Sequence, residues 1–306
     1  QQNISEEYGM KQMRLNGGKI HNHGVAATLN FPPISSKDFA WTVGFNASKN
    51  WSRSSNPEEI VKANQLQLSN YLAGSGDRPL KEGYPLSSFW SYSFAGLDPE
   101  NGYPLFNYLE YDKADNSLDP TTFLVYSGQR DPYFTGGFNT RVRYKSISFG
   151  ASFSTLIGAK KRLSNPYSNF SNGKIPDPFV NLNKDLNDRW KKPGDEANTI
   201  IPALWTSTTG NFNVILPNGT SSSLYNMWAY SDAMVVDGSF LRCNNISATY
   251  YFPKEWCNKF GAQSLELSAS VNNIFVIANK RWKGFDPELS NSVMPHMYSV
   301  GLSVSF

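Results

Sequence analysis

The last ten residues alternate strictly between apolar and polar side chains and finish on an aromatic ring. Tyr298, Val300, Leu302, Val304 and Phe306 share one face, and serine or glycine occupies every position between them. Alternation at period two predicts a β-strand with one apolar and one polar side. A terminal strand that closes a membrane-spanning barrel has this form, with its last ring at the lipid–water boundary. Taken alone, the segment fits an edge strand of a soluble β-sandwich equally well.

Six further segments alternate in the same way, and none of their apolar faces carries a charge. A lysine or arginine facing lipid at mid-depth costs about 2–4 kcal/mol, so a bilayer requires such faces. A soluble core requires uncharged faces too. The alternation alone therefore does not decide whether these faces point toward lipid or toward a protein interior. The predicted strands centre on residues 25–31, 41–47, 138–144, 147–153, 246–252 and 265–271.

Short and long connections between these strands alternate along the chain. The short ones cover 32–37, 145–146 and 253–263. Two of the long ones run to roughly 85 and 80 residues, a length uncommon for loops of a compact soluble domain. Tight turns at one end and large loops at the other are typical of outer-membrane barrels.

Aromatic residues gather at the short-turn end of the strands, where an interface of lipid and water favours amphipathic rings. Small residues such as Gly44, Ser148 and Gly150 occupy the opposite face and predict a wide polar lumen. Together with the connections, this pattern favours an all-β antiparallel transmembrane barrel with long extracellular loops. The aromatic positions are Phe31, Trp41, Tyr144, Tyr250, Phe252 and Phe306.

The sequence has few motifs that indicate catalysis or the binding of a metal, a cofactor or nucleic acid. The net charge of +3 gives no electrostatic footprint for nucleic acid, and no apolar run approaches the length of a membrane helix. Cys243 and Cys257 are expected to be free thiols, because an extended strand would hold them too far apart for a disulfide. His21 and His23 have a spacing a metal could use, but without a third ligand they are interpreted as polar strand residues. We therefore expect no metal, no cofactor and no enzymatic activity.

Two sets of residues are candidates for substrate binding. Trp90, Tyr92 and Phe94 alternate in a long loop, and aromatic faces can stack on sugar rings. The alternative is that these rings pack the loop against its neighbours. Arg141 and Arg143 point into the lumen by parity, where they could bind an anionic substrate or other carboxylates, or simply be solvated.

The long loops carry two local predictions. Phe179, Leu182, Leu186 and Trp190 have helical spacing, which predicts a short amphipathic helix within 178–191. The run 97–102, Leu-Asp-Pro-Glu-Asn-Gly, predicts a tight turn.

Several motifs resemble those of SusC-like TonB-dependent transporters, in the same order along the chain. The segment 237–242, Asp-Gly-Ser-Phe-Leu-Arg, followed by Asn245-Ile246-Ser247, is similar to a signature near the end of those barrels. The only departure noted is Cys243, where the family usually has a larger aliphatic or a polar residue. The other matching segments are 83–86, 96–99, 189–190, 192–196, 283–288 and 297–306. The resemblance implies a structural role, and no catalysis, for the paired carboxylates Asp195 and Glu196 in the polar loop 192–196.

The resemblance implies that residues 1–306 are the C-terminal part of a 22-stranded barrel, without the plug domain and the preceding strands. It also implies import of glycans or oligopeptides across a Gram-negative outer membrane. The implied partners are a SusD-like surface lipoprotein, the remaining barrel and plug, TonB acting through that plug, and the lipid bilayer. A passive porin and a secreted β-sandwich glycan-binding module are the alternative functions.

Overall fold

A computed structural model of the chain describes residues 2–3, 12–13, 19–55, 68–74, 81–107, 114–115, 118–168, 179, 181–204, 213–290 and 292–306. The chain divides into two compact units. The sheet unit comprises His23–Trp51, Asp131–Ala159 and Asp237–Phe306. The loop unit comprises Gln1–Asn22, Ser52–Arg130 and Lys160–Val236.

Strands account for most of the regular structure. In chain order they are β1 (Gln2–Asn3), β2 (Gln12–Met13), β3 (Lys19–Ser35), β4 (Phe39–Ser55), β5 (Ser88–Tyr92), β6 (Phe94–Leu97), β7 (Pro104–Phe106), β8 (Leu124–Gln129), β9 (Phe134–Tyr144), β10 (Ile147–Ile157), β11 (Lys160–Arg162), β12 (Asn213–Ile215), β13 (Ser221–Ser223), β14 (Val235–Asp237), β15 (Phe240–Tyr251), β16 (Ser264–Ala278) and β17 (Met297–Ser305). The α-helices are α1 (Leu68–Ala73), α2 (Leu224–Ala229) and α3 (Lys254–Lys259).

The long strands form one seven-stranded sheet in the order β17-β16-β15-β10-β9-β4-β3. From β4 to β17, each strand pairs antiparallel with its neighbour. All seven strands predicted from alternation are confirmed, and the predicted short connections join β3 to β4, β9 to β10 and β15 to β16. Lys145 takes a left-handed conformation (φ 51°) in the two-residue turn between β9 and β10. The helix α3 fills the connection from β15 to β16.

A β-bulge interrupts the pairing of β15 with β16. Against β10 the register shifts between Cys243 and Asn245, so Asn244 is the extra residue on β15. Against β16 the register shifts at the same place, where Asn273 and Ile274 lie opposite Asn244. On the facing strand Asn273 is left-handed (φ 56°), a conformation that asparagine tolerates better than most side chains. Beyond the bulge Leu241 is on the same exposed face as Ile246. The bulge therefore keeps the apolar side continuous although it inserts a residue.

Short strand pairs and 3₁₀ helices build the loop unit. β5 pairs with β8, β6 with β7, and β12 with β13. The predicted tight turn is confirmed between β6 and β7, where the Asp98 amide donates to Tyr103 O at 2.8 Å. Two clusters of buried side chains form its interior, one around Trp90 and Met227 and the other around Tyr167 and Trp228.

The predicted amphipathic helix within 178–191 is wrong for the described part of that segment. Only a 3₁₀ helix from Lys184 to Asp188 forms, capped by the Asn183 side chain. Of the four residues with helical spacing, Leu186 and Trp190 are buried, whereas Phe179 is 95% exposed and Leu182 is 50% exposed. The four side chains never share one covered face, so packing does not stabilise a longer helix.

Cys243 and Cys257 are free thiols, as predicted, and both are buried. Among the described residues, no helix is long and apolar enough to cross a membrane. The described residues also contain no group of three or more histidine, cysteine, aspartate or glutamate side chains placed to hold a metal ion.

Candidate functional site

One face of the seven-stranded sheet is apolar and exposed. Along each long strand, alternate residues point to this outward face, and many are large hydrophobic side chains. Val300 is 79% exposed, Phe149 55% and Phe45 45%. From the short-turn end as far as Ala47 on β4 and Ile157 on β10, this face carries no charge. The predicted C-terminal signature lies here on β17: Tyr298, Val300, Leu302, Val304 and Phe306.

The aromatic rings at the short-turn end follow a slanted line across this face. Phe306 lies six residues beyond Val300, and five strand spacings separate β4 from β17. At ~3.3 Å per residue and ~4.8 Å per strand spacing, the line of rings descends by about 20 Å over about 24 Å. Tyr250 near the end of β15, and Phe252 just after that strand, fall between the ends of this line. The descent is measured from the row of residues that the strand register pairs with Trp41. This row runs through Val142, Phe149, Ala248 and Ala269 to Val300.

The opposite, inner face is polar, and Arg141 and Arg143 lie on it. Both arginines are exposed residues of β9, two positions apart and therefore on one side of the strand. Their register neighbours on β4 and β10 are small, so the guanidinium groups are not covered from the adjacent strands. Those neighbours are Thr42 and Gly150 for Arg141, and Ala40 and Ser148 for Arg143.

Asparagine and serine side chains form a row across the inner face. Asn139 is paired in register with Ser152, which is paired with Asn245 on β15. The Asn245 amide donates to Asn272 Oδ1 at 2.8 Å. At Gly44 a Cβ would lie 2.6 Å from Asn139 Oδ1, so a larger residue there would displace that amide. This row offers hydrogen-bond donors and acceptors without charge.

A buried ion pair joins β15 to the connection between β16 and β17. Arg242 Nη2 donates to both oxygens of Asp286, at 2.7 and 2.6 Å, and Nη1 contacts Glu288 Oε2. Arg242 is 7% exposed and Asp286 3%, while the Glu288 side chain is 39% exposed. The guanidinium carbon also lies 4.6 Å from the Phe240 ring centroid. The pair connects two of the segments that carry the family resemblance, 237–242 and 283–288.

The carboxylate of Asp286 also organises its own loop. Its Oδ1 accepts a hydrogen bond from the Glu288 amide at 2.8 Å, and its backbone N–H donates to Ser292 O at 2.9 Å. Nearby, Trp282 is 2% exposed and donates from Nε1 to Asp237 O at 2.9 Å. Sequence reasoning did not assign a role to Arg242. A charge between apolar neighbours on a predicted strand was the available signal.

Trp90 and Tyr92, two of the predicted substrate-binding residues, lie in the interior of the loop unit. They are 2% and 3% exposed, and the Trp90 ring packs against Tyr71 at a centroid distance of 5.3 Å. Burial raises the pKa of Tyr92 to about 12. Phe94 is partly buried, and its ring centroid lies 6.3 Å from that of Phe106. These positions favour the packing alternative, because Trp90 and Tyr92 expose almost none of their surface.

Arg162 is a partly buried cation that connects several parts of the loop unit. Its Nη2 donates to Trp90 O at 2.6 Å and to Ser91 Oγ at 2.8 Å, and its Nη1 donates to Leu72 O. The guanidinium carbon lies 4.7 Å from the Phe89 ring centroid and 5.1 Å from that of Tyr230. Burial lowers its pKa to about 10. Its contacts are those of a structural centre rather than of an open binding site.

The paired carboxylates Asp195 and Glu196 fold their own loop. Asp195 Oδ2 accepts the backbone N–H groups of Lys191 and Lys192, at 3.0 and 3.1 Å. Glu196 Oε2 accepts the Gly194 N–H at 2.8 Å and Trp190 Nε1 at 3.2 Å. Hydrogen bonds to backbone groups hold the pKa of Glu196 below its usual value. Both carboxylates therefore have the structural role expected from the sequence.

Two known receptors are similar in sequence to this chain. The chain is 26% identical over 312 residues to the TonB-dependent receptor SusC of Bacteroides thetaiotaomicron, an alignment covering 96% of this chain and 27% of SusC. It is 23% identical over 303 residues to the TonB-dependent receptor P3 of Formosa agariphila, covering 93% of this chain and 27% of P3. The chain thus spans about a quarter of the length of these curated relatives. No protein-family model matches it.

Solved structures share the fold. The structure of the RagAB peptide transporter has a TM-score of 0.68 and 22% identity, and the match covers 99% of this chain and 31% of that chain. The RagAB peptide importer gives the same values in its "open-open" and "closed-closed" states. The resemblance to SusC-like TonB-dependent transporters is confirmed, and so is the all-β fold as part of a large antiparallel barrel.

Proposed function

We propose that this chain forms part of the wall of an outer-membrane barrel that imports glycans or oligopeptides in the manner of SusC-like TonB-dependent transporters. Its similarity to SusC supports the class, and the RagAB peptide importer supports oligopeptides as one substrate class. A SusD-like surface lipoprotein on the external side, a plug inside the barrel, and TonB acting through that plug are the proposed partners.

The exposed apolar face of the sheet is the observation that carries this proposal. A soluble protein rarely exposes a contiguous apolar surface of this kind, whereas the lipid face of a barrel consists of one. If the slanted line of aromatic rings lies level at one lipid–water boundary, the strands are inclined by about 40°. Strands of membrane barrels are tilted by ~35–45°. The register and the aromatic positions therefore agree on a membrane orientation.

The inner face supplies the chemistry for transport. Its row of asparagine and serine side chains suits hydroxyl groups of sugars and amides of peptides, because each amide both donates and accepts. Arg141 and Arg143 remain our candidates for contact with anionic groups of the substrate or of the plug. We assign Trp90, Tyr92 and Phe94 a lower priority as stacking residues, since two of them are buried.

The two alternatives fit the observations less well. A secreted β-sandwich would cover the apolar face with a second sheet, yet side chains such as Val300 and Phe149 are largely exposed. A passive porin would share the barrel, but both curated relatives described above carry the name TonB-dependent receptor. Dependence of uptake on TonB separates an importer from a porin.

A matched pair of arginine substitutions tests which face meets lipid. Ile246 points outward and is 43% exposed, and Ser247 is its neighbour on the inner face. We expect Ile246→Arg to destabilise the folded protein in a bilayer by about 2–4 kcal/mol, and Ser247→Arg to cost under ~1 kcal/mol. Reversible urea unfolding in phospholipid vesicles measures both. Equal costs, or a wild-type chain that stays soluble without detergent, would overturn the membrane assignment.

Uptake experiments test the transport step itself. Cells that produce the whole protein should accumulate a labelled oligopeptide or oligosaccharide, and removal of TonB should abolish accumulation. Uptake that persists without TonB would favour the porin. A matched set of peptides and glycans of similar mass identifies the substrate class, and Arg141→Gln should lower uptake of anionic members more than of neutral ones.

A further inference from the structure

We propose that Lys49, together with His23, Trp51 and Tyr133, binds the phosphate of a lipid head group. Lys49 and Trp51 are outward residues of β4 at the end opposite the short connections, and Tyr133 immediately precedes β9 at the same end. The inference rests on the proposed membrane location and extends it by naming a lipid-binding site and its ligand class.

The four side chains form one contiguous cluster. Lys49 Nζ lies 4.9 Å from the Trp51 ring centroid and 5.9 Å from that of Tyr133. The rings of His23 and Trp51 are stacked, with centroids 5.3 Å apart and planes 13° apart. Trp51 is 40% exposed and Tyr133 42%, so their outer faces are accessible. A cation held over two rings is partly preorganised, which lowers the entropy cost of binding an anion.

The position of the cluster along the strand matches a membrane boundary. On β4 the outward residues from Phe39 to Ala47 are uncharged, and Lys49 is the first outward cation. Trp41 and Trp51 are ten residues apart on that strand. Ten residues span ~33 Å along a strand, which an inclination of about 40° reduces to ~25 Å. The apolar band of membrane barrels is ~25 Å tall, so Trp41 and Trp51 fall at its two edges.

The chemistry of that level of a bilayer selects the ligand. Head-group phosphates are the anions there, and lysine binds phosphate as a compact point charge. The aliphatic stem of Lys49 can lie along apolar surface while its ammonium group stays at the boundary. The Trp51 and Tyr133 rings are amphipathic and favour the same level. Inorganic phosphate shares the ligand chemistry, and the experiment must separate the two sources.

The chain contains a matched control at the other end of the sheet. Lys145 Nζ lies 5.4 Å from the Tyr144 ring centroid, beside the turn between β9 and β10. This pair has the same charge and one ring, but the described contacts give it no second ring and no stacked histidine. Comparing Lys49→Met with Lys145→Met therefore separates a built site from general attraction of anionic lipid to a basic residue.

The test uses the protein purified from outer membranes and placed in phosphatidylcholine nanodiscs. Native mass spectrometry then measures the affinity for the most tightly bound molecule of added phosphatidic acid. Diacylglycerol, which lacks the phosphate, is the control lipid. We expect Lys49→Met to weaken phosphatidic acid binding by about fivefold, as one lysine near a membrane surface contributes. Lys49→Arg should retain binding, Lys145→Met should leave it unchanged, and diacylglycerol should not distinguish the variants.

Three results would overturn the inference. If Lys49→Met leaves the affinity for phosphatidic acid unchanged, the cluster is not a binding site. If both methionine variants lose affinity equally, general charge attraction explains the binding. Displacement of phosphatidic acid by millimolar inorganic phosphate would make free phosphate the ligand. These results leave the proposed function standing if the protein enters nanodiscs. Failure of the wild type to enter nanodiscs would overturn the proposed function along with the inference.

Discussion

In the loop unit Trp228 and Met227 are fully buried, whereas in the sheet unit Val300 and Phe149 are 79% and 55% exposed. The sheet unit instead buries a charged pair, Arg242 with Asp286. Large apolar residues of a soluble protein contribute to stability by leaving water, and the loop unit follows that rule. The sheet unit reverses it on one face. The same chain thus contains one unit packed for water and one with a face suited to lipid.

The difference shows why composition alone is a poor guide for this chain. Both units are rich in aromatic residues, but the rings of the loop unit pack against one another, with Tyr167 and Tyr225 5.2 Å apart in an edge-to-face contact. Rings on the outward face of the sheet, such as Phe45 and Phe138 at 4.9 Å, contact each other and remain partly exposed. What distinguishes the units is therefore the arrangement of the rings.

The largest expected effect comes from breaking the charged pair of the sheet unit. Arg242→Met leaves the Asp286 carboxylate buried without its cation, and we expect the free energy of unfolding to fall by about 3–5 kcal/mol. Urea unfolding in detergent micelles, followed by tryptophan fluorescence, measures this loss. The double variant Arg242→Met with Asp286→Asn should regain at least half of it, because the uncompensated charge is gone.

Glu288 provides the control for that prediction. Its side chain is 39% exposed, so solvent screens its contact with Arg242 and Glu288→Gln should cost less than ~1 kcal/mol. If Arg242→Met proves as mild as Glu288→Gln, the pair is not a buried structural contact. The contrast between the apolar interior of the loop unit and the buried charged pair of the sheet unit would then fail.

The core of the loop unit should respond next most strongly. Trp228 is fully buried and donates from Nε1 to Ile200 O at 2.8 Å. Trp228→Phe leaves a small cavity and an acceptor without its donor, for an expected loss of about 2–3 kcal/mol. Thermal unfolding in micelles measures this loss and compares it with the loss in Trp256→Phe. Trp256 lies in the sheet unit, and its ring is 55% exposed. Similar losses would mean that burial does not separate the units.

The long strands could be predicted because their alternation is local. The period-two pattern specifies which residues share a face, and it continues through each strand of the sheet. The short connections, the aromatic rows and the free cysteines followed from the same pattern. Hypothetical roles for Arg141 and Arg143 came from parity as well. The structure places both on the inner face, and their contact with substrate stays a prediction.

Contacts between distant segments could not be predicted in this way. Arg242 and Asp286 are 44 residues apart, and nothing local to either residue identifies its partner. Trp90 and Tyr92 alternate like surface strand residues, yet neighbours from α1 and α2 cover them. The helical spacing within 178–191 failed for a related reason, because Leu186 and Trp190 pack inward while Phe179 and Leu182 remain exposed. Tertiary packing decided each of these cases.

A smaller effect tests how tightly the loop unit is packed. Gly102 ends the tight turn after β6 in a left-handed conformation (φ 71°), and a Cβ there would lie 2.3 Å from Trp190 Cδ2. Gly83 is also left-handed (φ 80°), but a Cβ there would meet nothing within 4 Å. Both alanine variants incur the conformational strain of that backbone, roughly 1–2 kcal/mol.

Only Gly102→Ala must also displace the Trp190 ring, which is 8% exposed and held by Glu196. We therefore expect Gly102→Ala to lower the free energy of unfolding by about 1–2 kcal/mol more than Gly83→Ala does. Urea unfolding of the two variants in parallel isolates the overlap, because the backbone strain is common to both. Equal losses would mean that the ring moves aside freely. The loop unit would then lack the close packing that sets it apart from the exposed face of the sheet.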